Sequence, residues 1–302
     1  MSKILITGGS GLLGRTISKF LLNMNKQPVW LSREEGTFDQ IKKYKWNVEK
    51  NYIDENAFDD IEGIIHLAGA GIVDHKWTTD YKKEILDSRV KSSELLFNYI
   101  SKKSVDIKYI IGGSAIGFYN SSNRERVFTE DDEPGNDFMA DTCVKWEKSY
   151  ELFENFGIRT VIIRTGIVLS SEGGAYKKMV GPFKLGMGAA IASGKQFFPW
   201  IHINDIAGIF IHAAFNNNIT GIYNGVGSEI ITNKEFSKQL AKSLNKPFFL
   251  PNVPESALKL IMGEMAVTVT EGPKISNQKI KNAGYVFEFD NVKEALHDLI
   301  KR

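Results

Sequence analysis

The sequence predicts a doubly wound α/β fold: a parallel sheet with helices on both faces and a smaller α+β lobe beside it. Short β-branched runs alternate with helical periodicity through the first half, the pattern of stacked strand–helix–strand units. A glycine-rich turn joins the first such run to the first helical stretch. With 302 residues, 42% of them hydrophobic, the chain is long enough to bury the core this fold needs.

Taken in order, the first strand is expected over 3–7 and its helix over 12–23. Strands follow at 28–32, at 63–68 (the fourth), at 107–112 (the fifth) and at 160–168 (the sixth). A long helix over 79–101 separates the fourth from the fifth. Beyond Val168 the texture changes: 170–194 is rich in Gly and Lys with little strand signal, as in a loop or lobe over a site. Residues 201–203, Asp205 and the apolar run 206–215 then return to the sheet. Thr232 and Glu235 form a capping box that opens another helix, and an amphipathic helix near 292–300 ends the chain. The sheet domain is therefore expected to take 1–170 and 204–235, and the substrate lobe 171–203 and 236–302.

Net charge is +2 with Lys and Arg scattered, so no basic stripe points to nucleic acid. The single cysteine, Cys143, excludes an internal disulfide framework and suits a reducing compartment. Lys3 runs into Ile4-Leu5-Ile6 without the long apolar region of a signal peptide, and the run 206–215 is too short to span a bilayer. A cytoplasmic protein with a small-molecule partner, no membrane and no metal is expected, with a homodimer left open.

Gly8-x-x-Gly11-x-x-Gly14 follows a buried strand and opens a helix. Gly8 permits the tight turn, Gly11 lets the backbone approach a pyrophosphate, and Gly14 lets helix pack on strand, which is the dinucleotide turn of a Rossmann domain. Ser10 lies within it, and the free N–H groups near Leu12 and Leu13 would receive the phosphates. The second strand ends on Ser32-Arg33, a hydroxyl and a guanidinium suited to the 2′-phosphate of NADP(H). Glu34 and Glu35 follow and argue the other way, since either could reach a ribose. The fourth strand ends His66-Leu67-Ala68-Gly69-Ala70, small enough for a cofactor to lie against Leu67, Ala68 and Gly69. His66 alternates within the strand and reads as a core residue.

The long helix carries a stripe of Tyr81, Ile85, Ser88, Ser92, Leu95, Leu96 and Tyr99, with Glu84 and Arg89 on its margin. A charge there is costly unless paired or bound. One reading lets both side chains snorkel to solvent. The other aims Arg89 at cofactor phosphates and lets Glu84 orient the cofactor.

At this point the chain resembles the extended short-chain dehydrogenase/reductases, in an atypical epimerase-family branch with a small C-terminal domain of unknown function. The likeness runs through TGGSGLLG, HLAGAGI, Trp77 with KKEILDSRV, GGSAIGFY, DFMADTCVKWE, RTGIVLSSEGGAYKKMVGPFKLGMG, SGKQFFPWIHINDIAG and NGVG before TNKEF. It implies cofactor contacts at Ser32, Arg33, Leu67, Ala68, Glu84, Arg89 and Val168, the last near the nicotinamide half. One departure stands out. The family's Tyr-x-x-x-Lys pair falls on Met139 and Cys143, which offer neither a phenol nor a positive charge. Lys145 is turned away on the helix. Ser114 matches the family's active-site serine, and Tyr119 shortly after it could supply a phenol, although an aromatic there also suits packing. The resemblance implies an NADP(H)-dependent oxidoreductase or nucleotide-sugar-epimerase-like enzyme on a small substrate. The alternative is a non-catalytic NADP(H)-binding or redox-sensing protein.

Overall fold

Ile4, Leu5 and Ile6 are consecutive and have no exposed surface, which requires a strand covered on both faces. Alternation then sends Ile4 and Ile6 into one core and Leu5 into another. The computed structural model describes residues 2–119 and 125–301. Its strands are β1 (Lys3–Thr7), β2 (Gln27–Ser32), β3 (Gly36–Phe38), β4 (Ile41–Asn47), β5 (Tyr52–Ile53), β6 (Ile61–His66) and β7 (Tyr109–Ala115). They continue with β8 (Val127–Phe128), β9 (Arg159–Thr165), β10 (Ile167–Leu169), β11 (Trp200–His202), β12 (Gly221–Gly225) and β13 (Lys274–Ile275). The main sheet has the order β12-β9-β7-β6-β1-β2-β4-β3, with β5 beside β4. Its central pairs are parallel, and only β3 and β5 run antiparallel, at the β4 edge. Strand order reverses between β1 and β6, the switch point of a doubly wound sheet.

The helices are α1 (Leu12–Asn23), α2 (Thr79–Lys103), α3 (Phe138–Ser149), α4 (Glu151–Asn155), α5 (Gly174–Lys184) and α6 (Ile203–Phe215). Then come α7 (Asn233–Ser243), α8 (Glu255–Met262), α9 (Val267–Thr270), α10 (Gln278–Asn282) and α11 (Val292–Lys301). Ile17 and Leu21 of α1 join Ile206 and Phe210 of α6 over Ile4, Ile6, Ile65 and Ile163. On the other face Leu95 and Leu96 of α2 and Trp146 of α3 pack with Leu5, Leu31, Ile64 and Ile110. A separate core of Leu169, Tyr176, Trp200, Phe236, Leu240, Leu296 and Leu299 gathers α5, α7 and α11.

Four differences from the sequence reading have local causes. The sixth strand breaks at Gly166: its N–H donates to the Gly225 carbonyl and that of Ile167 to Pro199, so β10 leaves the main sheet for β11. A Cβ at Gly166 would stand 2.6 Å from the Pro199 carbonyl oxygen. The 170–194 stretch contains a helix, α5. Residues Ile280, Tyr285 and Phe287 pack on the main-sheet core with α6 rather than with the third core. The third parallel strand, β4, leaves no clear strand pattern in the sequence because its lysines break the apolar run: Ile41, Tyr44 and Trp46 are buried while Lys42 and Lys45 are exposed. Among the described residues no helix is long and apolar enough to cross a membrane, and no group of acidic, His or Cys side chains could hold a metal ion.

Candidate functional site

Two loops leave the sheet at the switch point, 8–11 after β1 and 67–70 after β6, and they touch. Gly8 has φ +67°, and a Cβ there would stand 2.9 Å from the Leu67 carbonyl carbon and oxygen. Only glycine meets both demands. Gly9 lies on Trp30, whose ring a Cβ would meet at 2.4 Å. A Cβ on Gly14 would stand 2.5 Å from the Gly8 oxygen, so α1 is seated directly on the turn. Gly11 caps α1 without a side-chain acceptor, and the first turn holds no acidic residue. The opening amides of Leu12 and Leu13 therefore form a cationic helix end suited to an anion.

The β6 loop is fixed from beneath. Thr7 Oγ1 accepts from the Leu67 and Ala68 amides at 3.1 Å each, so its one proton goes to His66 Nδ1 at 2.6 Å. The ring's own proton is then on Nε2 and is donated to Ser92 Oγ at 3.1 Å, while Ser92 donates to the Arg89 carbonyl. Burial pushes the His66 pKa down to about 3, which keeps the ring neutral. His66 is a satisfied core residue. Ser88 completes the tether by accepting from the Ala70 amide at 2.9 Å.

Arg89 is 6% exposed and lies within the buried face of α2, not on its margin. Its Nη1 donates to the Ile85 carbonyl at 2.8 Å, and its Cζ lies 4.9 Å from the Trp146 ring centroid. A Cβ on Gly69 would be 3.0 Å from that Cζ, so the guanidinium is packed against the loop beside the switch point. Among the described residues no carboxylate pairs with it. Burial lowers its pKa, because a dry setting disfavours the charged form. Glu84 is exposed one turn earlier. Ser32 is half-buried and accepts from the Glu34 amide at 3.5 Å, and Arg33 is exposed. Val168 lies on β10, where the start of α5 closes over α1: a Cβ on Gly174 would sit 3.5 Å from Leu12 and 3.7 Å from the Val168 carbonyl.

The expected phenol is not in the site. Tyr119 is 3% exposed, in a cluster with Phe118, Phe128, Cys143, Val226 and Ile275. Its hydroxyl donates to Asn224 Oδ1 at 2.6 Å and accepts from Arg164 Nη1 at 2.9 Å. Burial pushes its pKa up to about 12. Tyr119 is thus corrected from proton donor to core residue, because two buried partners far along the chain claim its oxygen. Ser114, at the end of β7, donates its single proton to Glu147 Oε1 at 2.6 Å. Glu147 in turn accepts two bonds from Arg164, each 2.8 Å. Ser114 therefore has only lone pairs left for anything beside it. Met139 and Cys143 are buried on α3 against Gly117, and burial holds the Cys143 thiol protonated with a pKa of about 12. Lys145 is exposed and pairs with Asp141 at 2.7 Å.

Sequence reasoning missed Thr7, Trp30 and Ser88, which hold or pack against the two loops of the site. The "T-G-G" run placed Thr7 next to the turn, but nothing local shows that its hydroxyl crosses to the β6 loop.

The parallel sheet, its switch point and the glycine cradle define a dinucleotide-binding α/β protein. Residues 4–224 match the model of the NAD dependent epimerase/dehydratase family, and 253–299 match a domain of unknown function, DUF1731. The chain belongs to the NAD dependent epimerase/dehydratase family, which bears out the resemblance read from its motifs. Its relatives include the mouse epimerase family protein SDR39U1, 32% identical over 302 residues with 99% of each chain covered. The Staphylococcus saprophyticus epimerase family protein SSP1921 is 30% identical over 303 residues, covering 99% of this chain and 100% of the relative. Among solved structures, human SDR39U1 isoform 2 with NADPH superposes at a TM-score of 0.90, with 29% identity and 99% of each chain covered. A Corynebacterium glutamicum nucleoside-diphosphate sugar epimerase gives 0.80 at 25% identity, covering 99% of this chain and 58% of that one.

Proposed function

We propose that this protein binds NADP(H) across the switch point and holds it without a tyrosine–lysine acid–base pair. The observation that carries the reading is Arg89, a cation packed against Gly69 with no carboxylate partner among the described residues. Such a charge is costly in a dry setting unless an anion completes it. The pyrophosphate falls to Gly8, Ser10, Gly11, Leu12, Leu13 and Gly14 with the Arg89 guanidinium, and the 2′-phosphate to Ser32 and Arg33. Leu67, Ala68, Gly69, Glu84 and Val168 serve the rest of the cofactor. The human relative solved with NADPH supports this choice of cofactor. Residues 1–170 and 204–235 then form the cofactor unit, and 171–203 with much of 236–302 the lobe beside it.

NADPH, when bound, supplies a hydride. What this chain adds to proton transfer is little: Met139 and Cys143 replace the pair, and Tyr119 is committed to Asn224 and Arg164. That favours a dinucleotide-binding protein that senses redox state or acts through a partner. The second reading is reduction or epimerisation of a small substrate, favoured by Ser114 at the carboxyl end of β7. There the proton would come from substrate or solvent.

Arg89→Met keeps the packing volume and removes the charge. Titration should show NADPH affinity reduced about tenfold or more while the apo protein keeps its thermal midpoint. Equal affinity in the variant overturns the assignment. Turnover of NADPH with any member of a carbonyl or nucleotide-sugar panel would move the second reading ahead.

A further inference from the structure

Arg15 stands in the first turn of α1, and its guanidinium folds back over the phosphate turn, where Nη1 donates to the Ser10 carbonyl at 3.1 Å. It is half-buried and, among the described residues, pairs with no carboxylate. Parallel register sets Thr7 against Leu31, so the phosphate turn and Ser32-Arg33 leave the sheet from adjacent strand ends. Trp30 under Gly9 seats the turn on β2. One arginine stands in the helix that leaves this turn, and a second, Arg33, directly follows β2. Glu34 and Glu35, the acidic groups nearest in sequence, are exposed and pair with neither.

The chemistry of the corner is that of a phosphate monoester. The pyrophosphate is served by helix amides, each charge shared over two groups. A monoester carries close to two charges near neutral pH, more than a single exposed arginine balances. Arg15 spends one N–H on Ser10 and keeps the remaining donors of its fork. We propose that Arg15 is a specificity-determining residue that reads the 2′-phosphate of NADP(H), forming with Ser32 and Arg33 a two-arginine site. This rests on the NADP(H) reading above.

The full-length protein, R15A and R15K are titrated calorimetrically with NADPH, NADH and adenosine 2′,5′-bisphosphate. R15A should bind NADPH and the bisphosphate about tenfold or more weaker and NADH within about twofold of wild type. R15K should recover part of the loss, and R33A should show the same selective pattern. Retained NADH affinity also shows that R15A is folded. Equal losses for NADPH and NADH would place Arg15 on the pyrophosphate, and no loss would leave it a solvated charge; either result overturns the proposal. A wild-type chain that binds NADH as tightly as NADPH removes the underlying reading, whereas an NADPH-selective chain indifferent to R15A removes only Arg15.

Discussion

The hydroxyl of Tyr119 sits between Asn224 Oδ1 and Arg164 Nη1, and both partners depend on it. Removing the oxygen leaves an amide oxygen and a guanidinium N–H unmatched in a region where Tyr119 is 3% and Arg164 2% exposed. Tyr119→Phe is therefore expected to cost about 1–3 kcal/mol of folding stability. NADPH affinity should stay within about twofold, since the residue stands apart from the proposed cofactor contacts. Urea unfolding and titration check this together; weakened binding at unchanged stability would return the phenol to the site. Cys143 makes a related point. Its buried thiol, with a pKa of about 12, supplies no charge at neutral pH. Arg89, a buried cation from a different helix, lies within electrostatic reach of that thiol.

At the scale of elements, the end of β6 is pinned to β1 and α2 through one neutral imidazole. His66 Nδ1 must remain unprotonated to accept from Thr7, and burial holds its pKa near 3. The folded-state pKa is depressed below the unfolded value of about 6.5, so the unfolded chain takes up the proton first. The stability contribution is present above pH 6.5 and is lost as the pH falls toward 3. At pH 5.5 the loss should be about 1–2 kcal/mol relative to neutral pH. Unfolding curves between pH 7.5 and 4.5 would show it, and His66→Asn should flatten the slope in that window. An unchanged slope would mean that other groups dominate. The turn after β1 belongs to the same scale: Gly8, Gly9 and Gly14 each face atoms a side chain would displace, so loop, helix and Trp30 form one packed unit.

Across the whole molecule, one buried network joins elements that are remote in sequence. Ser114 of β7, Glu147 of α3, Arg164 of β9, Tyr119 and Asn224 of β12 form a continuous chain, and Asn224 reaches the Ser276 carbonyl in the C-terminal third. Arg164 is its hub, stacked 3.3 Å from the Phe118 ring centroid. Arg164→Met would leave Glu147 buried without a counter-charge, a loss of about 3–5 kcal/mol. The double variant Arg164→Met/Glu147→Met should recover much of it, because two apolar side chains replace the pair. A single variant as stable as wild type would show that Glu147 gains a proton or water without cost.

The sequence by itself determined the parallel sheet, its glycine turn and the family. These rest on periodicity and on a backbone conformation that only Gly8 supplies, both local properties of the chain. It also marked Arg89 as a charge in a costly place and, through the resemblance, set Met139 and Cys143 where an acid–base pair is expected. The tertiary structure alone decided where those side chains go. Which way Tyr119 turns depends on Arg164 and Asn224, whose nearness follows from the pairing of β7, β9 and β12. The lysine-laced β4 is a strand because β2 offers it an edge, and Arg89 is buried because Gly69 and Trp146 close on it. Side-chain direction and pairing are set by neighbours distant in sequence, and a one-dimensional pattern holds no record of them.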